Sequence, residues 1–115
     1  MKKFALAAAA AALIAVPALA QQGGHGAMAK QDYMKSMQDM QQRMMSADDA
    51  DPDRAFALKM IQHHQGGIDM ARIVQQHGDD AEIKKMAQKT ADMQRKEIAE
   101  LQSWLDRHGG RTPKR

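Results

Sequence analysis

Apolar and polar positions repeat at helical spacing in three stretches of the chain, and nowhere do they alternate as in a strand. From Lys30 to Ser46, Tyr33, Met37, Met40 and Met44 fall on one stripe with Met34 and Met45 at its edge, and SADDADPD ends the pattern. A second helix is announced by Asp51 as N-cap, Pro52 at the first helical position and Asp53 in the first turn, where the helix dipole favours negative charge. It is expected to run to about His77 and to stop at Gly78 in a left-handed cap. At about 100° per residue, Phe56, Met60, His63, Gly67, Met70, Ala71 and Val74 share its apolar face, with His64 on the edge beside Met60.

The third stretch opens on Asp79 and Glu82, spaced as a capping box, and carries Ile83, Met86, Ala87, Thr90, Met93, Ile98, Leu101, Trp104 and Leu105 on one face. Gly109 ends it, His77 and His108 read as cationic caps in last turns, and Trp104 reads as a packing anchor. So short a link between the second and third helices forces an antiparallel hairpin. The expected fold is all-α: a helical hairpin plus an N-terminal helix in a domain spanning residues 30–108. Its core is thin, so the bundle is completed either by the first helix or by a second chain, as a homo-oligomer.

The chain ends read differently. Residues 1–20 have a basic start at Lys2 and Lys3, an apolar run from Phe4 to Val16 and the small-residue pattern Ala18-Leu19-Ala20, which predicts a cleaved signal peptide. The run is shorter than the ~20 residues of a spanning helix, so no membrane span is expected in the mature form. Export to the periplasm or beyond follows. Residues 21–29, QQGGHGAMA, lack a period and are expected to be a flexible leader with His25 solvated, and residues 109–115 to be a tail.

That assignment changes the meaning of the charge. The full chain carries 17 Lys and Arg against 14 Asp and Glu, but without Lys2 and Lys3 the balance is 15 against 14. The basicity is mostly a targeting signal and gives little support to a nucleic-acid partner. The chain has no cysteine, which removes disulfides and thiolate metal sites. Ten methionines lie beyond Met1, while Leu, Ile, Val and Phe are scarce.

Methionine and histidine meet in MIQHHQGGIDM, residues 60–70. Met60 and His63 are spaced i, i+3 and Met60 and His64 i, i+4, so a thioether and imidazoles occupy neighbouring turns of one face. Met70 lies two turns beyond His63 and must serve another position or meet a facing helix, where Met86 and Met93 are also two turns apart. Soft, neutral thioether sulfur favours Cu(I), and by the same softness Ag(I), while imidazole suits copper in either oxidation state. The expected ligands are therefore Met60, His63, His64 and Met70, with Met86, Met93, Met37, Met40 and Met44 in support, holding a copper ion, or silver.

The glycines beside the histidines each cost about 1 kcal/mol relative to alanine in a helix interior. Close approach of a facing helix accounts for Gly67, but nothing in the periodicity accounts for Gly66. Glu97 and Gln94 are candidate polar partners for the histidines, although lone residues of this kind are usually solvated. Two other readings stay open: a haem bundle with His/Met ligation, and a metal-free bundle that binds proteins through adaptable methionines. No nucleophile elbow, cysteine nucleophile or phosphate-binding loop is present, so no enzyme is expected.

FALKMIQHHQGGIDMA and AQKTADMQRKEIAELQSWL resemble the domain-of-unknown-function 305 family, which includes CopM-type periplasmic copper-binding proteins with ferritin-like helical bundles. The resemblance covers about residues 52–106. It rests on Met60, Ile61, His63, His64, Ile68, Asp69, Met70 and Ala71 in the first motif and on Gln94, Glu97, Ile98, Trp104 and Leu105 in the second. Gln62 stands where the family often has proline, and Leu101 where a methionine is frequent. The resemblance implies copper or silver binding through histidine and methionine, in copper handling or resistance.

Overall fold

The computed structural model describes residues 18–109, with side chains from residue 24 onward. It is all-α, with three helices: α1 (Ala18–Ser46), α2 (Pro52–His77) and α3 (Ala81–Arg107). They run antiparallel in chain order, and α2 lies in the middle. It packs against α1 on one side and α3 on the other, while α1 and α3 do not pack against each other. The result is a three-helix layer. No described helix is long and apolar enough to cross a membrane.

The start of α2 follows the sequence closely. Asp51 is in extended conformation, its side chain accepts from the Asp53 backbone N–H at 2.9 Å, and Pro52 opens the helix. Just before it, the Asp49 carboxylate accepts from the Asp51 N–H and pairs with Arg54, each at 2.9 Å. These contacts, the backbone hydrogen bond first, hold the Asp49 carboxyl below the usual carboxylate range. Because the folded-state value is the lower one, the stabilisation is complete above about pH 4, where the unfolded carboxylate ionises, and is lost as pH falls through the folded-state value. Asp49→Asn is accordingly expected to lower the melting temperature near neutrality and to leave it almost unchanged in acid, which flattens the acid side of a plot of melting temperature against pH.

Three boundary expectations need correction. Gly78 does not adopt a left-handed conformation: its φ of −80° and ψ of 156° are extended. Glycine is needed there for space, because an added Cβ would lie 2.7 Å from the Val74 carbonyl oxygen, to which no side chain can yield. The N-cap of α3 is Asp80 rather than Asp79, its side chain accepting from the Ile83 N–H at 2.8 Å. Counting from Asp80 shifts Glu82 out of capping-box register. Asp80→Ala is expected to cost about 1 kcal/mol, read by urea denaturation, whereas Asp79→Ala leaves stability within a few tenths.

The third correction concerns residues 21–29, which belong to α1 instead of forming a flexible leader. His25 comes to lie 5.8 Å, ring centre to ring centre, from His77. His77 in turn bonds through Nε2 to Asp32 at 2.9 Å, which ties α1 to the end of α2 just beyond this stretch. His77, the basic residue in the last turn of α2 as expected, also makes this interhelix pair. The expected signal peptide and tail fall largely outside the described residues.

The buried face of α2 also differs from the single stripe expected. Its buried residues are Ala57, His64, Gly66, Ile68, Ala71 and Ile73, which form two stripes on opposite sides of the helix. A middle helix with a neighbour on each side must bury both. The expected core face is left between those stripes, with Phe56 62% exposed and His63 also exposed. The interior proper is small, built from Ile68, Ala71 and Ala91 with Ala87 and Ile98 against them.

Candidate metal centre

The two adjacent histidines have separate environments, and their roles are reversed from those the helical wheel suggests. His64 is buried on the α3 side at 8% exposure, whereas His63 is exposed, with the rings 6.0 Å apart and edge-on. The 100° between successive residues turns His64 into the α2–α3 seam and leaves His63 outside it. There His64 Nε2 is hydrogen-bonded to the Glu97 carboxylate. Its other ring nitrogen, Nδ1, is buried with no hydrogen-bond partner.

This pairing sets the tautomer that the neutral ring would adopt. With Nε2–H donating to the carboxylate, the neutral imidazole presents a lone pair at Nδ1. Metal-ligating histidines are characteristically held in this way, a carboxylate on one nitrogen orienting the ring and raising the basicity of the other. Glu97, which is half-exposed, is thus a positioning residue for His64.

Met60 lies one turn before His64 and lines the same cavity of about 390 Å³, together with Phe56, Glu97, Leu101 and Trp104. Leu101 is therefore part of the cavity wall at the position where a further thioether was expected from the resemblance. Trp104 also stacks on His108 at 4.2 Å, and the His108 backbone N–H caps α3.

The α1 side carries a second methionine region. Met37, Met40 and Met44, with Met34 and Met45, line an open groove of about 690 Å³ whose floor includes Lys59. Lys59 donates to the Met44 and Ala47 carbonyls, and Arg43 pairs with Asp69. The antiparallel register these contacts set places Met44 within a turn of His63 and Met37 within a turn of Met70. Met86 and Met93 stand on α3, more than half exposed. Because α1 and α3 flank α2 from opposite sides, the methionines of α1 and those of α3 do not converge.

Both glycines now have a reason. A Cβ on Gly66 would meet Met40 on α1 at 2.2 Å from its sulfur, and one on Gly67 would meet the Gln94 amide on α3 at 2.4 Å. Each glycine admits a side chain from a different neighbouring helix, which the sequence could not show while only one neighbour was assumed. Among the described residues, no three His, Asp or Glu side chains converge on one point. Met60 and His64 are the thioether and imidazole that line one cavity from neighbouring turns of α2.

The family model described as Domain of unknown function (DUF305) matches residues 5–105. The chain belongs to that family. No curated protein matches it. In this DUF305 chain the matched region includes the described parts of all three helices up to Leu105, so His64, Met60, Glu97 and the methionine groove all lie within the family domain.

Proposed function

We propose that this is an exported, non-enzymatic copper-binding protein that sequesters Cu(I) in copper homeostasis or resistance, with Ag(I) as an alternative cargo. The observation that supports it best is the state of His64: a buried imidazole with one nitrogen held by a carboxylate from the next helix and the other without a partner. A buried polar atom left unpaired costs on the order of 1–3 kcal/mol, so a soft cation at Nδ1 removes a cost that the metal-free protein carries. Met60 supplies the soft donor, and the absence of cysteine leaves thioether as the only sulfur ligand type.

Within this reading, His64 and Met60 form the primary site and Glu97 orients the imidazole. His63, with Met40 and Met44 across the α1–α2 seam, offers a second and more open imidazole–thioether set, to which Met70 and Met37 are the nearest additions. Met86 and Met93 stand apart from both. CopM-type periplasmic function rests on the motif resemblance and on the signal-like residues 1–20. The test is competition for Cu(I) between the purified protein and a chromogenic Cu(I) chelator. Withdrawal of at least one equivalent from the chelator is expected, and failure to compete at all would rule the function out.

A further inference from the structure

The three-helix layer has two dissimilar sides. One is polar: Gln42 and Arg43 on α1, Gln62 and Asp69 on α2, and Gln88 and Arg95 on α3 line its two furrows or pair across them. The other is apolar. Placing residues at about 100° intervals from the known α1–α2 and α2–α3 contacts puts Met34, Met37, Met45, Phe56, Met86 and Met93 on this one side. Each of the six is more than half exposed, and His63 stands in their midst. Met28, near the start of α1, is an exposed methionine that faces the other way.

We propose that two copies of this chain pack these apolar sides together, closing two open layers into a six-helix dimer. The area agrees. α2 has 26 residues, so it is about 39 Å long, and two interhelix spacings of 8–10 Å make the layer about 20 Å wide. The product, about 800 Å², is what one partner contributes to a stable protein interface. The core points the same way: among the described residues no large side chain is fully buried, so a single layer has almost no interior of its own.

The chemistry of the face selects a second copy over other occupants. An anionic membrane surface would need a cluster of about four or more free basic residues; Lys59, on this side, is committed to the Met44 and Ala47 carbonyls, and Lys30 on α1 and Lys89 on α3 stand singly at opposite edges. A single bound helix would fill one furrow and leave the other bare. A second flat layer of the same width matches all three helices at once, and a two-fold axis makes the contact self-complementary and closed.

The proposal does not rest on copper binding, and its test is run with chelator present. Sedimentation equilibrium of the purified protein, its N-terminus read by mass spectrometry, is expected to give the mass of two chains at micromolar concentration. Met37→Glu with Met93→Glu is expected to raise the dissociation constant about 100-fold or more with helicity unchanged, since each charge is desolvated in the dimer. Gln42→Glu with Gln88→Glu, both in the polar-side furrows, is expected to leave it unchanged. Wild-type protein provides an independent reading: peroxide should oxidise Met37, Met86 and Met93 more slowly than Met28 when concentrated, and this difference should vanish on dilution. A monomer, an open-ended oligomer, a dimer broken by the polar-side substitutions or lost with residues 4–16, vesicle binding by this face, or concentration-independent oxidation would each overturn the proposal.

Discussion

Replacing His64 with alanine is expected to weaken Cu(I) binding by more than about 100-fold, beyond the 10- to 100-fold span typical of changes to groups that only orient a ligand. Glu97→Gln, which keeps the size of the side chain but removes the carboxylate, should fall within that span. His63→Ala should have the smallest effect of the three, because His63 is exposed and has no carboxylate holding its ring. The ordering is the informative part. It follows from which histidine is buried and paired, and it opposes the order that the helical wheel alone would suggest. Chelator competition on the three variants, with circular dichroism to confirm helicity, reads it directly. An unchanged affinity in a folded His64→Ala protein would remove His64 from the site.

The second large effect is structural. Gly66→Leu is expected to destabilise the protein by about 2 kcal/mol, as overpacking in a close contact commonly does. For a domain of this size that corresponds to a fall of roughly 10 °C in melting temperature. An added Cβ meets Met40 at its sulfur, at its Cγ, and at its own Cβ, 3.0 Å away, so rotating the end of the methionine does not clear it and α1 must move outward. Gly67→Ala should behave oppositely. There the obstacle is the amide end of Gln94, which can swing aside, and the gain in helix propensity of up to about 1 kcal/mol remains. Thermal unfolding of both variants distinguishes them, and equal losses would contradict the way α1 docks at Gly66.

Much of the fold was legible because its signals are local. Asp51 and Pro52 mark the start of α2 by backbone chemistry that does not depend on neighbours, and the short link through Gly78 leaves no topology except an antiparallel hairpin. The buried faces were harder to read. Those of α2 are half made of Ala57, Gly66 and Ala71 and are split between two sides, so neither outweighs the stripe of Phe56, Met60 and Met70, and the strongest stripe pointed to the open side. His64 looked marginal because it lies off that stripe, and Glu97 looked like a surface residue because half of it is one. The position of α2 between two helices is what joins them, and that is a tertiary fact. Gly66 was the clue: two consecutive glycines in a helix face directions about 100° apart, and two neighbours account for both.

Every helix packs only against its neighbour in sequence, and this shapes how the chain reaches its structure. Among the described residues, α1 and α3 need not find each other, so little loop-closure entropy precedes the first favourable packing, and folding should be correspondingly fast. The α2–α3 hairpin contains Met60, His64 and Glu97 and can assemble before α1 docks. The imidazole, its carboxylate and its thioether thus belong to one contiguous hairpin, whose pairing does not wait for α1.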